Sequence, residues 1–201
     1  MSLTSKIIVI GILSVCIGVF VSFLSNGFDE QGYRKQLESQ RNTKNRYFSS
    51  SPDSPMPDSL KKDWLPLRYF PIDVNYRITA SVEKISPISY SDDLEIRAYL
   101  SFNLMGKRYR WAGLCPKSSP KDEFLLAFKD PTSGKSTYGG GRYVDVSSNS
   151  SEIVIDFNTA YSPYCAFNTA YVCPLAPPEN QATTAIEAGE KLPKIAVSQS
   201  H

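Results

Sequence analysis

Short segments of alternating apolar and polar residues recur along most of the chain, and they constrain its fold more than any other feature. Alternation with a period of two places one set of side chains on each face of a β-strand. Turn residues separate the segments and no long helical pattern intervenes, so parallel strands linked by helices are not expected. The twelve Tyr and ten Phe residues also favour sheet. We therefore predict a mainly β domain, an antiparallel partly closed barrel or sandwich of about seven or eight short strands.

The clearest strand segments cover residues 74–82, 94–103, 107–115, 123–129, 142–146 and 152–158. Met105 and Gly106 stand between the second and third segments and are typical of a tight hairpin turn. The polar sequence SSNSS, residues 147–151, separates the last two segments and has the length of a hairpin loop. We therefore predict that 142–146 and 152–158 pair as an antiparallel hairpin.

Alternation in these last two segments also sorts their polar side chains. Asp145 shares a face with Tyr143, whereas Asp156 and Asn158 lie opposite the apolar face of their own segment. Asp145, Asp156 and Asn158 are thus expected either to line one polar pocket or to face water, as most Asp residues do.

The N-terminus carries an apolar run, residues 7–24, with the sequence IIVIGILSVCIGVFVSFL. No charged residue occurs between Lys6 and Asp29, and the run has the length of a membrane-spanning helix. We predict a single-pass inner-membrane anchor with a cytoplasmic N-terminus and a periplasmic C-terminal domain. The alternative is a signal peptide cleaved after Gly27, which would make the protein secreted.

Taken together, these patterns divide the whole chain into four regions. Residues 1–28 are the anchor or signal, and 49–191 the β domain. Residues 29–48 are predicted to form a solvated helical linker, because the stripe that contains Leu37, Arg41 and Lys44 is hardly apolar. Residues 192–201 are predicted to be a disordered tail.

Three consecutive glycines, Gly139, Gly140 and Gly141, precede the strand at 142–146. Phosphate-binding glycine loops lead into a helix, whereas this run leads into a strand, so neither nucleotide-binding motif is present. The run is expected to bend the sheet or to allow the close approach of a ligand or of a neighbouring backbone.

Charge and histidine content exclude several function classes. A formal net charge of +2 does not predict a nucleic-acid partner. The single histidine is His201, the last residue, which excludes Ser-His-Asp and Cys-His catalysis and histidine-rich zinc sites. No metal site is predicted, and the sequence names no cofactor. Cys165 and Cys173 are expected either to form a disulfide in an oxidising compartment or to remain buried thiols.

Several motifs resemble a bacterial and archaeal family known as domain of unknown function 1684. They are FKDPTSGKSTYGGGRYVDV, DFNTAYSPYCAFN and CPLAPPENQATTAIEAGEK, with upstream matches SPDSPMP and LRYFPIDVNYRITA. The resemblance covers about residues 47–191 and brings no established activity. It departs from the pattern at Ser162, where Asn is usual, and in a tail without its common Pro. The pattern positions are Tyr138, Gly139, Gly141, Arg142, Asp145, Asp156, Asn158, Pro163, Cys165, Asn168, Glu179 and Asn180.

Two function classes fit these observations, a binding module and an enzyme, and the sequence does not decide whether the protein is an enzyme. The favoured one is a binding module for a small polar ligand, because nothing resembles an activated nucleophile. Its expected ligand-binding residues are Tyr138, Arg142, Asp145, Asp156, Asn158, Asn168 and Glu179. The alternative is a hydrolase-like enzyme whose candidate catalytic residues are Asp145, Asp156 and Cys165. A structural envelope protein without a ligand is a further alternative.

Overall fold

The structure, a computed structural model, describes residues 28–62, 65–119, 123–147 and 151–193. The chain divides into two compact units, residues 1–35 and 36–201. In the described part of the first unit, Asp29 caps a helix by accepting a hydrogen bond from the Gly32 amide at 3.0 Å. Arg34 then pairs with Glu30 one helical turn away.

The described chain contains two α-helices, three single-turn 3-10 helices and six strands. The α-helices are α1 (Glu30–Ser50) and α2 (Asp58–Lys61). The 3-10 turns cover Val74–Tyr76, Phe157–Thr159 and Tyr164–Ala166. The strands are β1 (Arg77–Ser89), β2 (Leu94–Leu104), β3 (Lys107–Pro116), β4 (Glu123–Phe128), β5 (Arg142–Ser147) and β6 (Glu152–Asp156). The mainly β, antiparallel prediction is confirmed, with six strands rather than seven or eight.

All six strands belong to one antiparallel sheet in the order β5-β4-β3-β2-β1-β6. Six strands at a spacing of about 4.8 Å would place the two edges of a flat sheet about 24 Å apart. Yet Ser147 and Glu152, which end β5 and begin β6, are only five residues apart and so span at most about 18 Å. The sheet must therefore curl, and it forms a half-barrel.

The predicted hairpin between 142–146 and 152–158 is wrong. β5 pairs with β4 and β6 pairs with β1, so the two segments form opposite edges of the sheet. A short polar connection brings its flanking strands close together but does not require them to exchange hydrogen bonds. The hairpin at Met105–Gly106 is present, because both residues have positive φ (48° and 76°) and join β2 directly to β3.

The inner face of the half-barrel holds the largest hydrophobic core, centred on the fully buried Trp111. The ring of Trp111 stacks on Phe128 of β4 at 5.3 Å and meets Phe157 edge-on at 5.8 Å. Alternation along β6 places Ile153 and Ile155 in this core, as their period-two spacing predicts. A second cluster lies on the other face, where residues 161–176 cover β3, β4 and β5.

From Gln36 onward, one stripe of helix α1 packs into the second unit, while most other positions of the helix are exposed or half-buried. Leu37 and Phe48 are buried, and the Phe48 ring contacts Phe167 edge-on at 4.8 Å. The stripe noted in the sequence continues to Phe48. Its polar members have partners in the second unit: Arg41 donates to the Phe70 and Asn158 carbonyls, and Lys44 pairs with Glu190.

The predicted membrane helix at residues 7–24 lies outside the described residues. Among the described residues, no helix is both long enough and apolar enough to cross a membrane. In the predicted tail, the Leu192 amide donates a hydrogen bond to the Ser136 carbonyl at 2.8 Å, and residues 194–201 lie outside the described range.

Candidate functional site

An open groove of about 760 Å³ lies beside the outer face of β4 and β5. The segment that follows β6 forms one wall, and helix α1 contributes Lys44. Four tyrosines and two acidic residues are among its lining residues: Tyr143, Tyr161, Tyr164, Tyr171, Glu123 and Asp145. A volume of this size is typical of small-ligand sites.

The groove is built around a bridge between Tyr143 and Tyr161. The two residues exchange backbone N–H···O bonds of 2.9 Å each, which attach the segment after β6 to the free edge of β5. Alternation along β5 puts Asp145 on the same face as Tyr143. The Tyr161 hydroxyl consequently lies 2.9 and 3.1 Å from the two oxygens of Asp145, to which it donates.

Two pairs of tyrosine rings line the same groove as this carboxylate. Tyr143 and Tyr161 are nearly perpendicular, with centroids 5.8 Å apart, and they lie deeper in the groove. Tyr164 and Tyr171 form a second edge-to-face pair at 5.4 Å, and each is 39 % exposed. Edge-to-face packing fixes the relative orientation of the rings. The groove therefore presents rigid aromatic surface next to a charged group.

Lys44 links the groove to the protein interior. Its ammonium lies 4.7 Å over the Tyr161 ring and pairs with the carboxylate of Glu190, whose side chain is 1 % exposed. Glu190 also accepts a hydrogen bond from the Ser162 amide at 2.8 Å. A buried carboxylate requires such partners, because an uncompensated charge in the interior costs several kcal/mol (about 3–5). The positive charge of Lys44 is thus largely matched within the protein.

The groove walls perturb the acid–base properties of its residues. Burial among the wall atoms raises the pKa of Asp145, while the Tyr161 hydroxyl and the Lys44 ammonium act in the opposite direction. Asp145 nevertheless remains accessible to solvent at the mouth of the groove. Burial, together with the Asp145 charge, also raises the pKa of Tyr161, so its phenol stays protonated and remains a hydrogen-bond donor.

Over residues 62–191 the chain matches the family described as protein of unknown function (DUF1684). It belongs to that family. The resemblance read from the sequence is thereby confirmed for most of the predicted range of 47–191. DUF1684 membership assigns no activity to the groove.

A solved structure extends this finding to the fold. An uncharacterised protein of Haloarcula marismortui, whose structure was determined in solution by NMR, is 34% identical to this chain. The match covers 81% of this chain and 96% of that one, with a TM-score of 0.65. No curated protein matches the chain.

Arg142, a DUF1684 pattern position predicted to bind ligand, lies on the inner face of β5 instead of in the groove. Its side chain is fully buried and 3.5 Å from Asp130. It donates hydrogen bonds to the carbonyls of Ile186, at 2.8 Å, and Ala188. Arg142 therefore anchors the C-terminal segment inside the half-barrel.

Asp156 and Asn158 do not join Asp145 in one pocket. The Asp156 carboxylate caps the turn at Phe157–Thr159, accepting the Asn158 amide at 3.0 Å. The Asn158 side chain in turn donates to the Asp73 carbonyl at 2.8 Å and accepts the Asp73 amide at 3.0 Å. These contacts join the segment before β1 to the segment after β6. Neither Asp156 nor Asn158 lines the groove of Asp145.

Tyr138, Cys165 and Asn168 lie near the wall of the groove. The Tyr138 hydroxyl is 3.8 Å from the Cys165 sulfur, and the Cys165 amide donates to the Cys173 sulfur at 3.3 Å. Burial raises the pKa of Tyr138 to about 12 and that of Cys165 to about 11. Asn168 donates to the Pro55 carbonyl at 3.2 Å. Tyr138, Cys165 and Asn168 do not line the groove themselves, whereas their neighbour Cys173 does.

Two neighbouring pattern positions in the C-terminal segment differ in environment. Glu179 is exposed and does not line the groove. Asn180 is fully buried between β3 and β4, where its amide bonds to both backbone groups of Ala112 and to the Ala127 carbonyl at 2.7–2.9 Å. Asn180 thus replaces a missing strand contact.

Sequence reasoning missed Lys44, Tyr161, Tyr164, Tyr171 and Glu190. Tyr161 and Tyr164 fall inside the DFNTAYSPYCAFN motif, so the motif was a usable signal for both. Lys44 was interpreted as part of a solvated helix. Its role becomes visible only when Glu190, distant in the sequence, is placed beside it. Within the described ranges, no cluster of three or more His, Cys, Asp or Glu residues is arranged to hold a metal ion.

Proposed function

We propose that this DUF1684 protein is a binding module whose groove holds a small ligand against Asp145. The observation that carries the proposal is a solvent-accessible carboxylate, held by the protonated Tyr161 hydroxyl, in a groove that two edge-to-face tyrosine pairs line. Ligand sites commonly combine a mostly apolar, aromatic lining with a few fixed polar groups that orient the ligand.

The hydrogen bonds of Asp145 leave it able to bind a ligand. A carboxylate offers about four lone-pair positions, and the Tyr161 hydroxyl approaches both oxygens from one side. Each oxygen therefore keeps capacity for a donor supplied from the groove. Because Tyr161 holds the carboxylate in one orientation, a ligand does not have to order it on binding.

The raised pKa of Asp145 supports an acid–base enzyme as a second candidate function. Catalytic carboxyl groups commonly have pKa values raised by burial in clefts. In that case Asp145 would transfer the proton of a bound substrate. Turnover of a ligand, lost in Asp145→Asn, would select this function over simple binding.

A ligand-observed NMR screen of a fragment library against the purified full-length chain tests the proposal. Asp145→Asn keeps the shape of the side chain but removes its charge, and we expect it to weaken groove ligands about tenfold or more. The matched control is Glu83→Gln, which removes a carboxylate on β1 that pairs with Arg110 outside the groove. Equal affinities for wild type and Asp145→Asn, or no ligand from the screen, would contradict the proposal.

We further propose that residues 7–24 anchor the domain in the inner membrane with residues from 28 onward in the periplasm. The charge-free run between Lys6 and Asp29 supports a membrane span, and the positive charge of Lys6 before the run supports a cytoplasmic N-terminus. An export-dependent reporter fused after Gln40 should be active, and it should lose activity when two lysines are introduced into the run. Activity confined to a cytoplasmic reporter at the same position would contradict the anchor.

A further inference from the structure

The charges around the groove favour a cationic ligand. Glu123 and Asp145 are the acidic residues among its described lining, and Lys44 is the basic one. Lys44 is already paired with the buried Glu190, so its charge is compensated from inside the protein. Two of the three charged side chains in the described lining are thus acidic, and a solvent-accessible carboxylate such as Asp145 attracts cations.

The rim tyrosines provide the second element of a cation site. Tyr164 and Tyr171 are each 39 % exposed, and their rings are inclined at 75°. The face of a tyrosine ring carries negative potential, and ammonium groups bind within about 6 Å of the ring centroid. Two inclined rings that line the same groove as a carboxylate offer a cation both aromatic faces and an opposite charge.

Lys44 shows that a ring of this groove already holds an ammonium group. Its Nζ atom lies 4.7 Å over the Tyr161 ring, within the range of a cation–π contact. Because the buried Glu190 retains Lys44, this contact belongs to the protein itself and leaves the Tyr164–Tyr171 pair for another cation.

We propose that the groove binds a small organic ammonium ion, with its positive head between Tyr164, Tyr171 and Asp145. This inference rests on the proposed binding function and specifies its ligand class. The apolar lining around the tyrosines, such as Val172 and Leu125, would receive the aliphatic part of the ligand.

Three compounds of nearly identical shape separate charge from shape. The probes are choline, its neutral carbon analogue 3,3-dimethyl-1-butanol, and the anion 3,3-dimethylbutyrate. Binding to the full-length protein is measured by titration calorimetry or by ligand-observed NMR. We expect choline to bind about tenfold or more tightly than the neutral analogue, and the anion to bind most weakly. A neutral or anionic analogue that binds as well as choline overturns the cation inference but leaves the groove as a ligand site. If library fragments bind and choline does not, the inference is again wrong while the proposed function stands.

Ring substitutions test the position of the cation. Tyr164→Phe keeps the aromatic face and should retain choline affinity, whereas Tyr164→Leu should lower it about fivefold or more. The control is Tyr99→Leu, which removes a tyrosine that lies under Arg110 on the sheet, outside the groove. An amide NMR spectrum confirms that each variant is folded. Equal affinities for the folded Tyr164→Leu and Tyr99→Leu proteins would exclude the rim as the cation site.

Discussion

Replacing Gly141 with alanine should destabilise the domain far more than the same change at Gly139, although both glycines belong to one run. Gly141 has φ +102°, a conformation that residues with a Cβ rarely adopt. An added Cβ would also lie 2.5 Å from the carbonyl oxygen of Phe128, a backbone atom of β4 that cannot move away easily. Gly139 has neither problem, because its added Cβ would be 3.6 Å from the nearest atom.

The two penalties at Gly141 set the expected magnitude. A non-glycine residue in such a backbone region costs about 1–3 kcal/mol. Forcing an extra carbon into a packed site costs about another 1–3 kcal/mol. The lower entropy of the unfolded alanine chain returns about 0.4–1 kcal/mol. The net loss in the free energy of unfolding should therefore be about 1–5.6 kcal/mol, with the middle of the range near 3 kcal/mol.

Urea unfolding followed by circular dichroism measures this loss. Each kcal/mol corresponds to about 2–4 °C in melting temperature for a protein of this size. Gly139→Ala serves as the matched control and should leave the free energy of unfolding within about 1 kcal/mol of wild type. In this structure the absence of a side chain at Gly141 allows β5 to begin close to the backbone of β4. A Gly141→Ala protein as stable as the Gly139→Ala protein would refute that role of Gly141.

Three further predictions concern charged and ionisable residues. Asp130→Ala leaves Arg142 as a buried unpaired charge and should cost about 3–5 kcal/mol in urea unfolding; a loss under 1 kcal/mol would show that the pair is dispensable. Burial raises the pKa of Cys165 to about 11, so its thiol is protonated at neutral pH. Peptide mass spectrometry can follow the alkylation of Cys165 by iodoacetamide. At pH 8 this alkylation should be much slower in the folded than in the unfolded chain, and in the folded chain it should accelerate towards pH 11. Equal rates in the folded and unfolded chains at pH 8 would contradict the raised pKa. Because the folded state raises the pKa of Asp145, its charged form is disfavoured, and any destabilisation sets in as pH rises through that pKa. At neutral pH Asp145→Asn should therefore keep or raise the melting temperature. Asp156→Ala loses a turn cap and should lower the free energy of unfolding by about 0.5–2 kcal/mol. A destabilised Asp145→Asn protein beside an unchanged Asp156→Ala protein would contradict the roles assigned to the two residues.

Local patterns predicted the strands well but not all of their pairings. Alternation located five of the six strands and a short apolar run located β4, because both signals depend only on the residues of the strand itself. The neighbour of a strand depends on curvature of the whole sheet. For this reason the five-residue connection at 147–151 was mistaken for a hairpin loop, although it joins two edges of a half-barrel.

Polar residues near the candidate site were harder to assign from sequence. Arg142 and Asn158 stood out as polar pattern positions. Both are buried, and both donate hydrogen bonds to backbone carbonyls that are distant in the sequence. A polar residue that satisfies distant carbonyls has the same sequence signature as one that binds a ligand. Asp145 was predicted correctly to share a face with Tyr143, because that inference needed only alternation along β5.

A chemical-shift map of the full-length protein, recorded with the tightest ligand from the screen, tests the central claim most directly. The account predicts that the largest amide and aromatic shifts fall on Asp145, Tyr161, Tyr164 and Tyr171, and that Asp145→Asn abolishes them at the same ligand concentration. Shifts concentrated elsewhere, for example around the Asp73–Asn158 turn, would contradict the assignment of the groove as the ligand site.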